Sequence, residues 1–120
     1  MIITLPWPPA DLSPNARNHW AVMAKAKKKY RRDCGQHAIA QGARKMDVDS
    51  IHAEITFYPP SKRRMDKDNC IASMKSGIDG IADVIGVDDS RWDMSFELAG
   101  SDPPGRVVVE LSTIPHLVSP

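Results

Sequence analysis

The chain has 120 residues, 42% hydrophobic and only 6% aromatic, which suits one domain with a mostly aliphatic core and excludes a disordered chain. Its net charge of +1 selects no class of partner, and its two distant cysteines, Cys34 and Cys70, form neither a CxxC zinc signature nor a disulfide framework; they read as buried thiols in a reducing compartment. No apolar run approaches the ~20 residues of a membrane span, and the first residues lack the charged start and long apolar stretch of a signal peptide, so a cytoplasmic protein with no membrane association is expected.

Residues 1–7 read as a short strand with Ile3, Leu5 and Trp7 on one face, and Pro6, Pro8 and Pro9 make it an edge or terminating strand. Residues 8–18 are turn formers in which Asn15 or Asn18 is suited to cap the helix that follows. That helix is predicted over residues 19–42. Met23, Ala26, Tyr30, Cys34, His37 and Ala38 form a narrow face, Lys25, Lys27, Lys28, Lys29, Arg31 and Arg32 crowd the rest, and Gly42 is the expected terminator. Isolated His19 and His37 are not read as metal ligands.

Residues 51–58 alternate, with Ile51, Ala53, Ile55 and Phe57 on one face, and are predicted to be a half-buried strand ended by Pro59 and Pro60. A loop with Lys62, Arg63, Arg64 and Lys67 follows. A second helix is expected over 69–85 on the stripe Ile71, Met74, Ile78, Ile81 and Ile85, with Gly86 as its cap; the stripe is core packing, and Asp79 and Asp83 fall outside it, exposed. Gly77 and Gly80 allow a close approach. Residues 91–98 alternate with Trp92, Met94, Phe96 and Leu98 inward, and 106–114 with Val107, Val109 and Leu111 inward. The turn-forming stretch 99–105 between them predicts an antiparallel hairpin. The expected fold is a single α+β domain over 1–120 in β-α-β-α-β-β order, with a mixed four-stranded sheet and two helices on one face.

Charge is unevenly distributed. Residues 17–45 carry nine Lys/Arg against one acid, Asp33, and residues 66–102 carry nine acids against three bases. That is the pattern of a polyanion-binding surface beside a metal-binding patch, or equally of a self-neutralising solvated surface. The acidic patch centres on Asp66 and Asp68, two residues apart and expected to point the same way in an extended segment, and on Asp88 and Asp89 beyond the second helix. Hard cations such as Mg²⁺ take such oxygen ligands together with a substrate phosphate. The alternative is that Asp68 caps a helix starting at Asn69 and that Asp88 and Asp89 only make a turn. A 17-residue helix is about 25 Å long, so a shared site requires the following strand or the Asp88–Asp89 loop to fold back along it, a helix shorter than 69–85, or the two subunits of a dimer.

The opening Leu5-Pro6-Trp7-Pro8-Pro9, the segment Arg63-Arg64-Met65-Asp66-Lys67-Asp68-Asn69 and the Asp88-Asp89 loop about twenty residues later resemble, in order and spacing over essentially the whole chain, the RusA family of Holliday junction resolvases, small proteins often encoded in prophages. The resemblance implies a homodimeric, Mg²⁺-dependent endonuclease, with Mn²⁺ able to substitute, that binds four-way junction DNA and nicks two opposed strands symmetrically in recombination and repair. The family's metal-binding aspartates fall on Asp66, Asp68 and Asp89, with Asp88 as the neighbouring acid. The family's lysine falls on Ala72 here, and the nearest lysine is Lys75, one turn along, which is a departure from the pattern.

From such ligands follows a metal-activated water attacking phosphorus, with Lys75, Lys67 or Arg64 stabilising the developing charge. The basic residues Lys25, Lys27, Lys28, Lys29, Arg31, Arg32, Lys62, Arg63, Arg64 and Lys67 would hold backbone phosphates. Trp7, Trp20, Trp92, Val108 and Ile114 are expected to supply apolar surface for a two-fold interface. Two other readings use the same residues: a DNA-binding module without catalysis, and a nuclease for flaps or other branched DNA.

Overall fold

In a computed structural model, residues 1–17 and 19–113 are described. The order is β1 (Ile2–Pro6), α1 (Trp20–Ala40), β2 (Ile51–Tyr58), α2 (Lys67–Ile85), β3 (Trp92–Leu98) and β4 (Arg106–Thr113), with short 3-10 turns at Ala10–Leu12 and Asp89–Arg91. The four strands form one mixed sheet in the order β1-β4-β2-β3. The expected α+β class and element order therefore hold. Strand alternation explains the layering: Ile3, Leu5, Ile51, Ala53, Ile55, Phe57, Val107, Val109 and Leu111 are buried on one face, while Glu54, Asp93, Ser95, Glu97 and Glu110 are exposed on the other. Register aligns Ile3, Val109, Ile55 and Phe96 in one row across the sheet, and Leu5, Val107, Phe57 and Leu98 in the next.

The expected β3–β4 hairpin does not form. β4 lies between β1 and β2, antiparallel to both, and β3 pairs only with β2, in parallel. The connecting loop, residues 99–105, steps over the end of β2: the Ala99 N–H donates to the Phe57 carbonyl and the Asp102 N–H to the Pro59 carbonyl, each at 2.8 Å. Crossing one strand means a step of about 10 Å, within reach of seven residues. The exchange puts β4, whose inward side chains are fully buried, at the centre, and leaves β3 with half-buried Met94, Phe96 and Leu98 at the edge.

The opposite edge, β1, is plugged. The Gln41 side chain accepts from the Thr4 N–H and donates to the Thr4 carbonyl, both at 2.7 Å. Pro6 has no N–H to offer, and its carbonyl accepts from the Tyr30 hydroxyl at 2.7 Å.

The helices cross where side chains are absent. A Cβ on Gly80 would run into the Arg31 carbonyl, and one on Gly35 would lie 3.2 Å from the Gly80 carbonyl. The glycines thus give the close packing expected of them, and Gly35, mid-helix, is part of the contact. The narrow face of α1 is Tyr30, Cys34 and Ala38; His37 is exposed, contrary to expectation, because the helix turns it away from α2. α1 is capped by His19, whose Nδ1 accepts from the Ala21 N–H at 3.3 Å, rather than by Asn15; Asn18 lies outside the described residues. Gly42 (φ 96°) and Gly86 (φ 73°) end the two helices in the left-handed conformation, as the sequence predicts.

Of the apolar surface expected at an interface, Trp7 packs edge-on against Phe57, and Trp92 is buried with its Nε1–H donating to the Val87 carbonyl at 2.9 Å. Both serve this chain's own core. Trp20 remains 74% exposed, Val108 is half-buried, and Ile114 lies outside the described residues. Among the described residues no helix is long and apolar enough to cross a membrane.

Candidate nucleic-acid interface and acidic site

β1, β2 and β3 run in one direction, so the loops that follow β1 and β2 emerge at the same end of the sheet, and α2 starts there. α2 begins two residues earlier than the sequence suggests, at Lys67. Asp66 is its N-cap, and its Oδ1 accepts from the Asp68 N–H at 2.9 Å. Asp68 is therefore not the cap, and the two aspartates do not share an extended segment: Asp68 is already in the first helical turn, where a carboxylate is favoured by the unpaired N–H groups. Lys62, Arg63, Arg64, Asp66, Lys67 and Asp68 are all exposed around this corner.

The stripe Asp68, Ala72, Lys75 and Asp79 runs along one face of α2 at spacings of four, three and four. Lys75 Nζ donates to Asp79 Oδ1 at 2.6 Å and to Asp89 Oδ2. The Asp89 contact answers the geometric problem in part. After Gly86 the chain turns so that Asp89 comes within reach of the Lys75 side chain, beside α2 rather than off its end. Seven residues still separate Asp68 from Lys75, about 10 Å of axial rise. The carboxylates thus sit at different levels, and among the described residues no three His, Cys, Asp or Glu side chains converge to hold a metal ion. The oxygen donors suit a hard cation by chemistry; as they stand, Asp66 caps α2 through Oδ1 and Asp89 pairs with Lys75 through Oδ2, which leaves each carboxylate a second oxygen.

Electrostatics follow these contacts. Partial burial lowers the Lys75 pKa, but hydrogen bonds and charge from Asp79 and Asp89 outweigh it, and the net shift is upward. Asp88 caps the 3-10 turn, its Oδ2 accepting from the Ser90 N–H at 3.1 Å, and hydrogen bonding from Ser90 holds its carboxyl below the usual range. Burial, and then the charge of Asp66, raise the Cys70 thiol.

The cations of α1 divide into two sets. Arg31 forms a bidentate pair with Asp83 (2.6 and 2.7 Å) and Lys29 pairs with Asp33 at 2.8 Å. Asp83 and Asp79 are thus ion-pair partners, not the bystanders the sequence suggests. Lys25, Lys27, Lys28 and Arg32 are exposed with no ion pair among the described residues, as are Lys62, Arg63, Arg64 and Lys67. Lys27, Lys28, Arg31 and Lys75 line a cleft of about 670 Å³ between the helices, beside Asp79 and Ser76, whose buried Oγ has no partner among the described residues.

A second cleft, of about 500 Å³, was not anticipated from the sequence. It lies between the loops after β1 and β2, with Trp7, Pro9 and Met65 in its walls, Asn15 and Asn69 beside them, and Asp66 at its edge. The one sequence signal was the aromatic Trp7 set among prolines.

The fold and these contacts define a small α+β domain that carries a cation-rich surface beside a row of carboxylates. It is similar to an uncharacterized protein of Xylella fastidiosa (strain Temecula1 / ATCC 700964), 38% identical over 122 aligned residues that span 98% of this chain and 79% of the relative. The chain belongs to one family with that protein. No family model matches the chain.

Proposed function

We propose that this protein is a metal-dependent, structure-selective endonuclease of the RusA type, a cytoplasmic homodimer that resolves Holliday junctions by paired symmetric nicks during recombination and repair. The observation that carries this reading is the fold-back of the Asp88–Asp89 turn onto α2, which sets Asp89 against Lys75 on the stripe headed by Asp68, beside the cleft lined by Lys27 and Lys28. Cations on α1 and on the loop before α2 that have no ion pair among the described residues offer phosphate contacts. Lys75, one turn beyond Ala72, is the lysine assigned here to the phosphate, which it would meet on release from Asp79 and Asp89. Mg²⁺, or Mn²⁺ in its place, is the proposed cofactor of Asp66, Asp68, Asp88 and Asp89, and its binding requires Asp89 to give up Lys75.

A second reading, a DNA-binding module without catalysis, is favoured by one observation: Asp66, Asp88 and Asp89 each have a structural partner already. One experiment separates the readings and the substrates. Cleavage of a four-way junction, a flap and a linear duplex is compared with and without Mg²⁺, for the wild type and for Asp68→Asn. Paired nicks in the junction alone, lost in Asp68→Asn while junction binding stays equal or tightens, support the resolvase. Cleavage of the flap in preference to the junction moves the assignment to other branched DNA, and no cleavage with intact binding leaves the binding module. Light scattering of the active protein should give the mass of two chains, since two symmetric scissile strands match a two-fold protein.

A further inference from the structure

The cleft beside Asp66 has a chemistry that phosphate binding does not use. At about 500 Å³ it is at the smaller end of ligand-site volumes: too narrow for a duplex, wide enough for a single nucleotide. Trp7 forms part of its wall, and the edge-on contact with Phe57, at a centroid distance of 6.2 Å and 79° between planes, fixes the orientation of the indole. Pro9 and Met65 extend the apolar lining. Asn15 and Asn69 each bring a carboxamide with one acceptor and two donor hydrogens, and neither side chain has a hydrogen-bond partner among the described residues. Such amides match the hydrogen-bonding edge of a base.

What surrounds the cleft selects the kind of occupant. Arg63 and Arg64 line it, and a neighbouring cleft continues past Arg64, Asp66 and Lys67. Asp66 is the one acid in either lining, so the path favours a strand of negative charge over an acidic or neutral peptide side chain. A flat, polar-edged group attached to a polyanion is a nucleobase.

We propose that this cleft receives one unstacked nucleobase of a DNA strand, stacked against Trp7 and hydrogen-bonded by Asn15 and Asn69, while the strand's backbone passes Arg64 and Lys67. The inference rests on the endonuclease reading and deepens it. Branched DNA offers bases whose stacking is easily broken, and a base seated beside Asp66 would set which phosphate lies over the acidic stripe.

The test uses two single-stranded probes of equal charge, a dT12 oligomer and a 12-mer made wholly of abasic residues, in EDTA so that no cleavage intervenes. dT12 should bind about tenfold more tightly and should move the Trp7 indole N–H resonance, while the abasic oligomer leaves that resonance in place. Trp7→Ala should bind both probes at the abasic level. If Trp7→Ala fails to fold, Asn69→Ala should reduce the preference for dT12, and the wild-type indole shift decides on its own. Equal affinity of the wild type for both probes, or a preference that survives Trp7→Ala with the shift at exposed Trp20 instead, overturns the base site and leaves the endonuclease reading standing. Binding of neither probe at low salt overturns the base site, and the endonuclease reading falls with it only if the four-way junction is not bound either.

Discussion

Lys75 holds Asp89 against the middle of α2, and the same ammonium group also grips Asp79, so one cation on a helical stripe ties down the acidic turn that precedes β3. A lysine in this position does electrostatically what a divalent ion would do at the same carboxylate. Lys75→Met should therefore bind Mn²⁺ about two- to fivefold more tightly in calorimetry, the worth of one exposed ion pair, while junction cleavage falls because no other lysine stands on that stripe. Unchanged Mn²⁺ affinity in Lys75→Met would show that Lys75 and the metal do not compete.

The cations of α1 differ in what they are free to do. Lys27 and Lys28 have no ion pair among the described residues, whereas Lys29 is partly engaged by Asp33. Replacing all three with alanine should weaken DNA binding and flatten its log–log salt dependence by about 0.9 for each phosphate that is no longer neutralised, with Lys29 contributing least. The variant should fold normally, since these side chains lie off the Tyr30–Cys34–Ala38 face. A salt slope identical to that of the wild type would assign these lysines to solvation alone.

The helix crossing sets a stability prediction. Gly80→Ala forces a methyl group into the Arg31 backbone carbonyl, which cannot swing away as a side-chain tip could. About 1–3 kcal/mol should be lost to overpacking, even though alanine is the better helix former. Gly100→Ala, with open space around it, should change stability by less than about 0.5 kcal/mol. Urea midpoints at constant m-value make the comparison; equal midpoints would mean that the helices slide apart at no cost.

Burial pushes the Cys34 thiol up to about 12. A raised pKa in the folded state means that the fold prefers the protonated thiol. This contribution is whole below the unfolded thiol's pKa of about 8.5 and is lost as pH climbs towards 12, at up to about 1.4 kcal/mol per pH unit. Stability from urea unfolding should fall between pH 9 and 10.5, and Cys34→Ala should fall less steeply over the same range. Cys70, also shifted upward, leaves some of the slope in place. Equal slopes in the two proteins would remove Cys34 as the cause.

Local patterns carried most of the architecture. The strict alternation of residues 51–58 and the three–four spacing of Met74, Ile78, Ile81 and Ile85 each report which side of an element is buried, and both are met by the structure. Sheet order was not legible, because the placing of β4 between β1 and β2 depends on packing between distant segments, and the turn-rich loop 99–105 is compatible with a hairpin or a crossover. The cap of α2 was ambiguous for a physical reason: Asp66 and Asp68 are equally good capping residues, and only the backbone path out of Met65 decides between them. In the candidate site the pairing of Lys75 with Asp79 follows a helical i, i+4 spacing, whereas the contacts Lys75–Asp89 and Arg31–Asp83 join residues 14 and 52 positions apart and have no local signal.

The two borders of the sheet are unlike. Gln41 and Tyr30 occupy the outward-facing groups of Thr4 and Pro6 in β1, while β3, at the far border, has no fifth strand among the described residues. A sheet with a single available border cannot pass growth from copy to copy. If chains join strand to strand, each uses its one β3 border on the other, antiparallel about a two-fold axis, and the assembly is finished at two. For such an assembly the blocking of Thr4 and Pro6 would act as a chain terminator, leaving association through the sheet self-limiting.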